Sequence, residues 1–376
     1  MRYRKFGKTN ENISILGFGC MRFPEIDGKI DKQQAKNMVR YAIDNGLNYI
    51  DTAYPYHKGE SEIVVGEILK DGYRNKVKLA TKLPSWNIKS REDMDKYLNE
   101  QLEKLQTDYI DFYLVHALDE SLWKNLVDND ILDFLDEIKR NGKVKYVGFS
   151  FHDNYEVFEN IIDSYNWDFT QIQYNYIDEE YQAGTKGLKY AHEKGLGIII
   201  MEPLRGGKLA KGLSKDILDI LSNSEYNKTP AQWAFKFLYD KEEVGIVLSG
   251  MSSMQDVIEN INTCDIHGKS NSMNKEEEYT INELKNKFKS KIKVNCTACK
   301  YCLPCPNDVN IPMCFEALNN ASMFDDIEPV KNNMYEYLIN KNSDASRCIE
   351  CKKCEKVCPQ HIDIVNKLKD VKETFK

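Results

Sequence analysis

The sequence predicts an α/β chain: a (β/α)8 TIM barrel followed by a small cysteine-rich module. Three observations carry that expectation. Eight strand-like apolar runs alternate with helical-period stretches over roughly the first 265 residues. A polar connector then breaks the alternation. Beyond it, eight of the eleven cysteines fall in two short runs. A chain of 376 residues is long enough for one large domain plus such an appendage.

The first four strand-like runs are ISILGFGC (13–20), LNYIDTA (47–53), VKLATKL (77–83) and IDFYLVH (110–116). VKYVGFS (144–150), FTQIQYN (169–175), LGIIIMEP (196–203) and VGIVLSG (244–250) complete the eight. Their richness in Val, Ile and Tyr suits strands, and the stretches between them are helical in period. KQQAKNMVRYAIDNG (32–46), with a glycine where a C-cap belongs, is an example. A doubly wound sheet is the competing architecture. Its Gly-rich first turn is incomplete here, because GFGCMR has Gly17 and Gly19 but Arg22 where a third glycine belongs. DIHGKSNSMNKEEEY (265–279) reads as a connector running into a charged helix. The expected division is a barrel over 1–265, linker and helix over 266–291, and the cysteine-bearing domain over 292–376.

Composition narrows the classes. Hydrophobic residues make up 41% and charged residues 30%, a globular balance. The net charge of −7, with no basic patch among aromatics, argues against a nucleic-acid partner. The first ten residues lack the apolar core of a signal peptide, and LGIIIM (196–201) is too short to span a bilayer. A cytoplasmic protein without a membrane partner is expected. In a reducing compartment, regularly spaced thiols point to metal ligands rather than disulfides. Cys20, Cys264 and Cys314, outside the runs, read as small core residues.

Chemistry on a barrel sits at the C-terminal ends of the strands. Asp51, Lys82 and His116 end the second, third and fourth predicted strands, and Tyr56 follows Asp51 by five residues. Singly, each has a plain structural reading as a turn, cap or packing residue. Together they suit proton transfer to a carbonyl. A Lys held by an Asp lowers the pKa of a nearby Tyr phenol, and a neutral His orients the same oxygen.

FGKTNENISILGFGCMRFP, IDTAYPYHKGESEIVVGEIL, LATKL and DYIDFYLVH resemble the aldo-keto reductases, over about residues 1–263. The resemblance implies NAD(P)H-dependent carbonyl reduction. Tyr56 would be the proton donor, Lys82 and Asp51 would tune it, and His116 would orient a small carbonyl substrate. It also implies nicotinamide contacts from Ser150 and Gln171. Met201 stands where the family commonly stacks an aromatic, and Phe151 where it commonly has Asn. Leu204, Arg205, Gly206 and Gly207 would lie along the pyrophosphate. Glu259 and Asn260 match the adenine-contacting pair. Asp256 stands where NADPH-preferring members carry Arg; a carboxylate there repels a 2′-phosphate, which tilts the cofactor toward NADH. ALDESLWKNLVDND (117–130) is expected to border the substrate pocket, with Trp123 either touching substrate or packing the loop down.

The cysteine runs are CTACKYCLPCP (296–306) and CIECKKCEKVCP (348–359). The second is C-x2-C-x2-C-x3-C-P, the spacing of a bacterial-type 4Fe–4S site whose fourth thiolate serves the neighbouring cluster. By that crossed rule Cys296, Cys299, Cys302 and Cys358 hold one cluster, and Cys348, Cys351, Cys354 and Cys305 the other. The first run is one residue short before Cys-Pro, so Cys314 is an alternative fourth ligand. Zinc is the competing metal, but two triple runs exceed what a zinc ribbon uses. The pairing resembles two-cluster ferredoxins, with a longer insert between the runs. Aldo-keto reductases with such a tail form a recognisable subgroup, and CTACKYCLPCPNDVNIP is similar to theirs.

A hydride carries two electrons and a cluster passes one, and a flavin normally stands between them. The sequence has no recognisable flavin motif, although barrels bind flavin without one. Three functions therefore stand: a carbonyl reductase whose clusters are structural or sensing; an electron-transfer oxidoreductase exchanging electrons with a ferredoxin-type carrier; and a non-enzymatic redox sensor. The complete set of four residues favours the first.

Overall fold

A computed structural model describes residues 1–376. Eight parallel strands close into a barrel in sequence order. They are β1 (Leu16–Gly19), β2 (Tyr49–Asp51), β3 (Lys78–Leu83), β4 (Ile110–Leu118), β5 (Val144–Phe151), β6 (Phe169–Gln173), β7 (Gly197–Met201) and β8 (Ile246–Ser249). The helices after the first three strands are α1 (Lys32–Asp44), α2 (Ser61–Ile68) and α3 (Arg91–Leu105). The run expected as one strand over 13–20 is split at Ile15. Glu11–Ser14 pairs antiparallel with Tyr3–Phe6 as a hairpin, and β1 begins at Leu16.

The pleat explains how a hydrophobic barrel carries a polar mouth. Side chains alternate between the barrel interior and the helix layer. The interior holds Tyr49, Ala80, Phe112, Leu114, Phe169, Ile199 and Ile246, with Phe6 from the hairpin. Phe6, Phe112 and Phe169 meet at ring separations of 5.2–6.1 Å. Full burial of one such ring is worth roughly 1.5–3 kcal/mol. Two residues beyond the inward Tyr49, Ala80, Leu114, Phe169 and Ile199 come Asp51, Lys82, His116, Gln171 and Met201. The same period-2 stripe that fills the floor with apolar groups thus ends in polar ones at the C-terminal rim.

The chain divides into two compact units. One is Met1–Gly207 with Lys228–Asn274; the other is Lys208–Asn227 with Lys275–Lys376. The helix Lys275–Ser290, expected as part of a linker, belongs with the cysteine-bearing unit, as does the excursion over 208–227. Within that unit Asp216 binds Lys287 at 3.0 Å and Lys291 at 3.3 Å, and Lys291 also binds Asp325 at 2.9 Å. Phe288 packs on Phe324 at 5.5 Å. The core of the unit is helical and includes Cys314, Phe315, Leu318, Leu338 and Val371. No helix of the chain is long and apolar enough to cross a membrane.

Candidate active site and cysteine pockets

Lys82 is the centre of the barrel mouth. Its Nζ donates to Asp51 Oδ1 at 2.6 Å, to the Thr52 carbonyl at 2.8 Å and to Tyr56 Oη at 3.3 Å. All three ammonium protons are committed, on a side chain that is 0% exposed. Burial alone would lower this ammonium, but Asp51 and the Tyr56 phenol more than offset it and hold it above its ordinary value. Asp51 is pushed up by burial against the pull of Lys82, and its Oδ2 is buried without a partner. Burial also pushes the Tyr56 phenol up, while Lys82 draws it back down. Lys82 therefore acts in the expected direction, but burial outweighs it, and Tyr56 stays protonated at neutral pH.

Burial, reinforced by the nearby Lys82 cation, holds His116 well below the usual imidazole range, so the ring is neutral. Its Nδ1 is buried without a partner. It stands edge-on to Tyr56 at 6.3 Å, next to a β-bulge in which Ala117 is left-handed. Tyr56 is placed by its loop. His57 and Lys58 after it both have positive φ. His57 Nε2 accepts from Phe23 N at 3.1 Å, and Nδ1 lies 2.8 Å from Glu25 Oε1.

The expected nicotinamide contacts share this rim. Ser150 Oγ accepts from Ala117 N at 2.7 Å, in the bulge beside His116. Gln171 Nε2 lies 3.5 Å from Met201 Sδ, and its Oε1 is buried without a partner. Phe151, one step along the pleat from Ser150, faces the helix layer against Phe158 at 5.0 Å and is fully buried. Beyond β7, Glu202, Arg205, Gly206 and Gly207 all have positive φ. The resulting turn sets Arg205 3.6 Å from Asp178.

Glu259 and Asn260 do not face together. Glu259 is exposed and accepts from Gln255 at 2.8 Å, while Asn260 is buried and donates to Ser249 at 2.9 Å. Asp256, the charge expected to tilt cofactor preference, is engaged by its own helix, Met254–His267. Its Oδ2 accepts from the N–H groups of Ser252 and Ser253 at 3.1 Å, forming a capping box.

Two neighbours of the site escaped the sequence reading. A Cβ on Gly206 would lie 3.4 Å from Arg22 Nη2, and one on Gly250 3.0 Å from Arg22 Cδ. Arg22 therefore lies across the rim between the turns after β7 and β8, where GFGCMR was the available signal. Trp86 stands 5.1 Å from the His116 ring and is 45% exposed. Trp123, by contrast, packs on the buried Trp167 at 5.9 Å.

The cysteines sort into two pockets. One is lined by Cys296, Cys299, Cys302 and Cys358 with Ile311, Phe315 and Ile364. The other is lined by Cys305, Cys348, Cys351 and Cys354, with Cys302 on the shared wall. Cys314 lines neither and is 0% exposed; Cys20 and Cys264 are also fully buried. No group of His, Cys, Asp or Glu closes into a single-ion cage. The thiols stand around pockets instead, as four ligands at the corners of a larger cube would.

The two cysteine runs repeat at the backbone level. Ala298 and Lys300 in the first run are left-handed, and so are Glu350 and Lys352 at the same offsets in the second. Such turns aim N–H groups at an anionic centre, and Ala298 N lies 3.4 Å from Cys296 Sγ. Burial pushes Cys302 up to about 12 and Cys354 up to about 11, so a bound cation is needed to hold them as thiolates. The donor set fits iron–sulfur clusters.

Comparison with known proteins agrees with this reading. The model of the aldo/keto reductase family matches residues 15–281, and that of a 4Fe–4S dicluster domain matches residues 295–362. The uncharacterised oxidoreductase YqkF of Bacillus subtilis is 32% identical over 161 residues, 40% of this chain and 49% of that protein. L-galactose dehydrogenase of Arabidopsis thaliana is 27% identical over 280 residues, 69% of this chain and 86% of that protein. Among solved structures, the holo form of an aldo-keto reductase from Bacillus halodurans superposes with a TM-score of 0.63 at 24% identity. It covers 76% of this chain and 96% of its own. An aldo/keto reductase from Klebsiella pneumoniae in complex with NADP and acetate gives 0.62 at 24%, over 75% and 95%. At that identity these two structures speak for the fold.

Proposed function

Because this chain belongs to the aldo-keto reductase family of oxidoreductases and carries a 4Fe–4S domain C-terminal to the barrel, we propose that it reduces an aldehyde or ketone to the alcohol. NADH or NADPH is the reductant and Tyr56 the proton donor. The observation that carries this reading is the one buried ammonium shared between Asp51 at 2.6 Å and Tyr56 at 3.3 Å.

A bound reduced nicotinamide would supply the hydride. Tyr56 Oη gives its proton to the carbonyl oxygen, and the phenolate left behind is balanced by Lys82. Asp51 keeps Lys82 charged in a site that would otherwise discharge it. His116, neutral, hydrogen-bonds the same oxygen and adds no competing acid. Ser150 and Gln171 offer polar groups to the carboxamide, Met201 covers the ring, and Leu204–Gly207 with Arg22 cradle the diphosphate. Glu259, Asn260 and Asp256 border the adenosine end, and the Asp256 charge favours NADH. The test is Tyr56→Phe, which should abolish carbonyl turnover while NADH still binds. Unchanged turnover would remove the assignment.

The two four-thiol pockets support a second reading for the tail, in which two 4Fe–4S clusters exchange electrons with a ferredoxin-type carrier. It is tested by an anaerobic visible spectrum of the iron-loaded protein before and after NADH. Bleaching would favour electron exchange and call for a flavin or other hydride splitter. Constant absorbance, with NADH oxidised only when a carbonyl is present, would favour a structural or sensing tail.

A further inference from the structure

On the outer side of β3, directly behind Lys82, lies a second buried polar set that the reaction above does not use. It begins with an unfilled ladder position. β2 stops at Asp51, and Thr52 N takes the carbonyl of Ala80 at 2.9 Å. The next carbonyl on that edge of the parallel ladder is that of Lys82, and β2 has no donor left for it. Gln101 of α3 supplies one: its Nε2 lies 2.9 Å from the Lys82 carbonyl.

Gln101 is itself fixed from three sides. Nε2 is 2.7 Å from Glu62 Oε1 and 3.2 Å from Thr81 Oγ1, and Oε1 accepts from Tyr113 OH at 2.8 Å. Thr81 Oγ1 also donates to Glu62 Oε1 at 2.6 Å. Glu62, Thr81, Gln101 and Tyr113 are all 0% exposed. Glu62 can reach Gln101 because α2 lies close to α3; a Cβ on Gly66 would sit 2.6 Å from the Lys104 carbonyl. Burying a carboxyl, an amide and two hydroxyls is costly unless they bond one another, as they do here except at Glu62 Oε2, which has no hydrogen bond and lies 3.8 Å from Lys104 Nζ. What that arrangement fixes is the backbone of Lys82.

We propose that Gln101, braced by Glu62, Thr81 and Tyr113, is a positioning residue that sets the Lys82 ammonium against Tyr56. The proposal rests on Tyr56 being the acid. Without the Gln101 bond the end of β3 relaxes and the 3.3 Å contact between Lys82 and Tyr56 lengthens. Tyr56 then loses part of the positive charge that draws its pKa down.

The test uses the full iron-loaded chain with NADH and a carbonyl it turns over. Gln101→Met keeps the volume and removes the amide. kcat should fall about tenfold, with NADH affinity and KM within about twofold. The alkaline limb of the kcat profile, where Tyr56 loses its proton, should move to higher pH. Tyr113→Phe removes only the hydroxyl on Gln101 and should move the limb the same way by less, which covers the case in which Gln101→Met does not fold. A limb that stays in place in the folded variants, with activity lost only in proportion to folded protein, would make the set purely structural and overturn the proposal. Tyr56→Phe run in parallel separates the failures. If it keeps its turnover, the acid assignment is wrong; if it is inactive while the limb stays in place, only the role of Gln101 is.

Discussion

Replacing Lys82 with methionine tests the charge arrangement at the barrel mouth through stability, independently of any substrate. The side chains of Lys82 and Asp51 are 0% and 3% exposed. The substitution keeps nearly the same volume, but it strands Asp51 Oδ1, whose sister oxygen already lacks a partner, and the Thr52 carbonyl. Removing one partner of a buried ion pair costs about 3–5 kcal/mol, and the lost bond to Thr52 adds about 1 kcal/mol. The variant can escape part of this by protonating Asp51, whose carboxyl burial already pushes up. A folded pKa raised above the unfolded one favours the fold at low pH and ceases to do so as pH rises through it. The penalty should therefore be smaller near pH 5 than near pH 8. Adding Asp51→Asn removes the stranded charge, so the double variant should recover at least about 2 kcal/mol relative to Lys82→Met alone. Urea unfolding followed by far-ultraviolet circular dichroism, under anaerobic conditions with iron bound, reads the parent, Lys82→Met, Asp51→Asn and the double variant. A Lys82→Met protein within about 0.5 kcal/mol of the parent, or strict additivity in the double variant, would refute a buried Asp51–Lys82 charge pair.

Two further outcomes follow from the same structure. Cys305→Ser should lower the iron bound per chain, whereas Cys314→Ser should leave iron content and the electron-paramagnetic signal of the reduced protein unchanged; the reverse pattern would reassign the fourth ligand of the second pocket. Glu11 is 17% exposed and is held down to about 2 because its bonds to Lys145, Lys78 and Tyr146 prevail over burial. Its contribution is therefore present above its ordinary value of 4.5 and is lost as pH falls toward 2. Glu11→Gln should cost about 1–2 kcal/mol near pH 7 and clearly less near pH 3, a difference that unfolding midpoints would show.

Much of this was legible because it is carried by periodicity. Eight apolar runs in alternation imply a barrel, and the closed barrel has all eight in sequence order. Period 2 within each strand also places Asp51, Lys82, His116, Ser150, Gln171 and Met201 on the inner face, one layer above the apolar floor. Thiol spacing likewise implied two groups of four, and the pockets contain those groups. The departures occur where a position depends on a partner distant in sequence. The strand expected over 13–20 broke at Ile15 because Glu11–Ser14 pairs with Tyr3–Phe6. The helix Lys275–Ser290, expected as a charged helix following the connector, groups with the cysteine-bearing unit through contacts such as the Lys287–Asp216 ion pair, which joins segments about 70 residues apart.

The residue types were set by the sequence alone: an acid, a cation and an imidazole near strand ends, a phenol in the loop after the acid, and thiols at three-residue steps. Local spacing specifies such features because neighbours along the chain share one backbone path. Only the tertiary structure decided how these groups act on one another. Burial, not Lys82, has the larger effect on Tyr56; Asp256 is engaged in capping its own helix; and Trp86 and Gln101 stand beside the site although nothing in their local sequence marks them. Burial, hydrogen-bond completion and pKa are sums over atoms brought together from across the chain, and those sums exist only once it has folded.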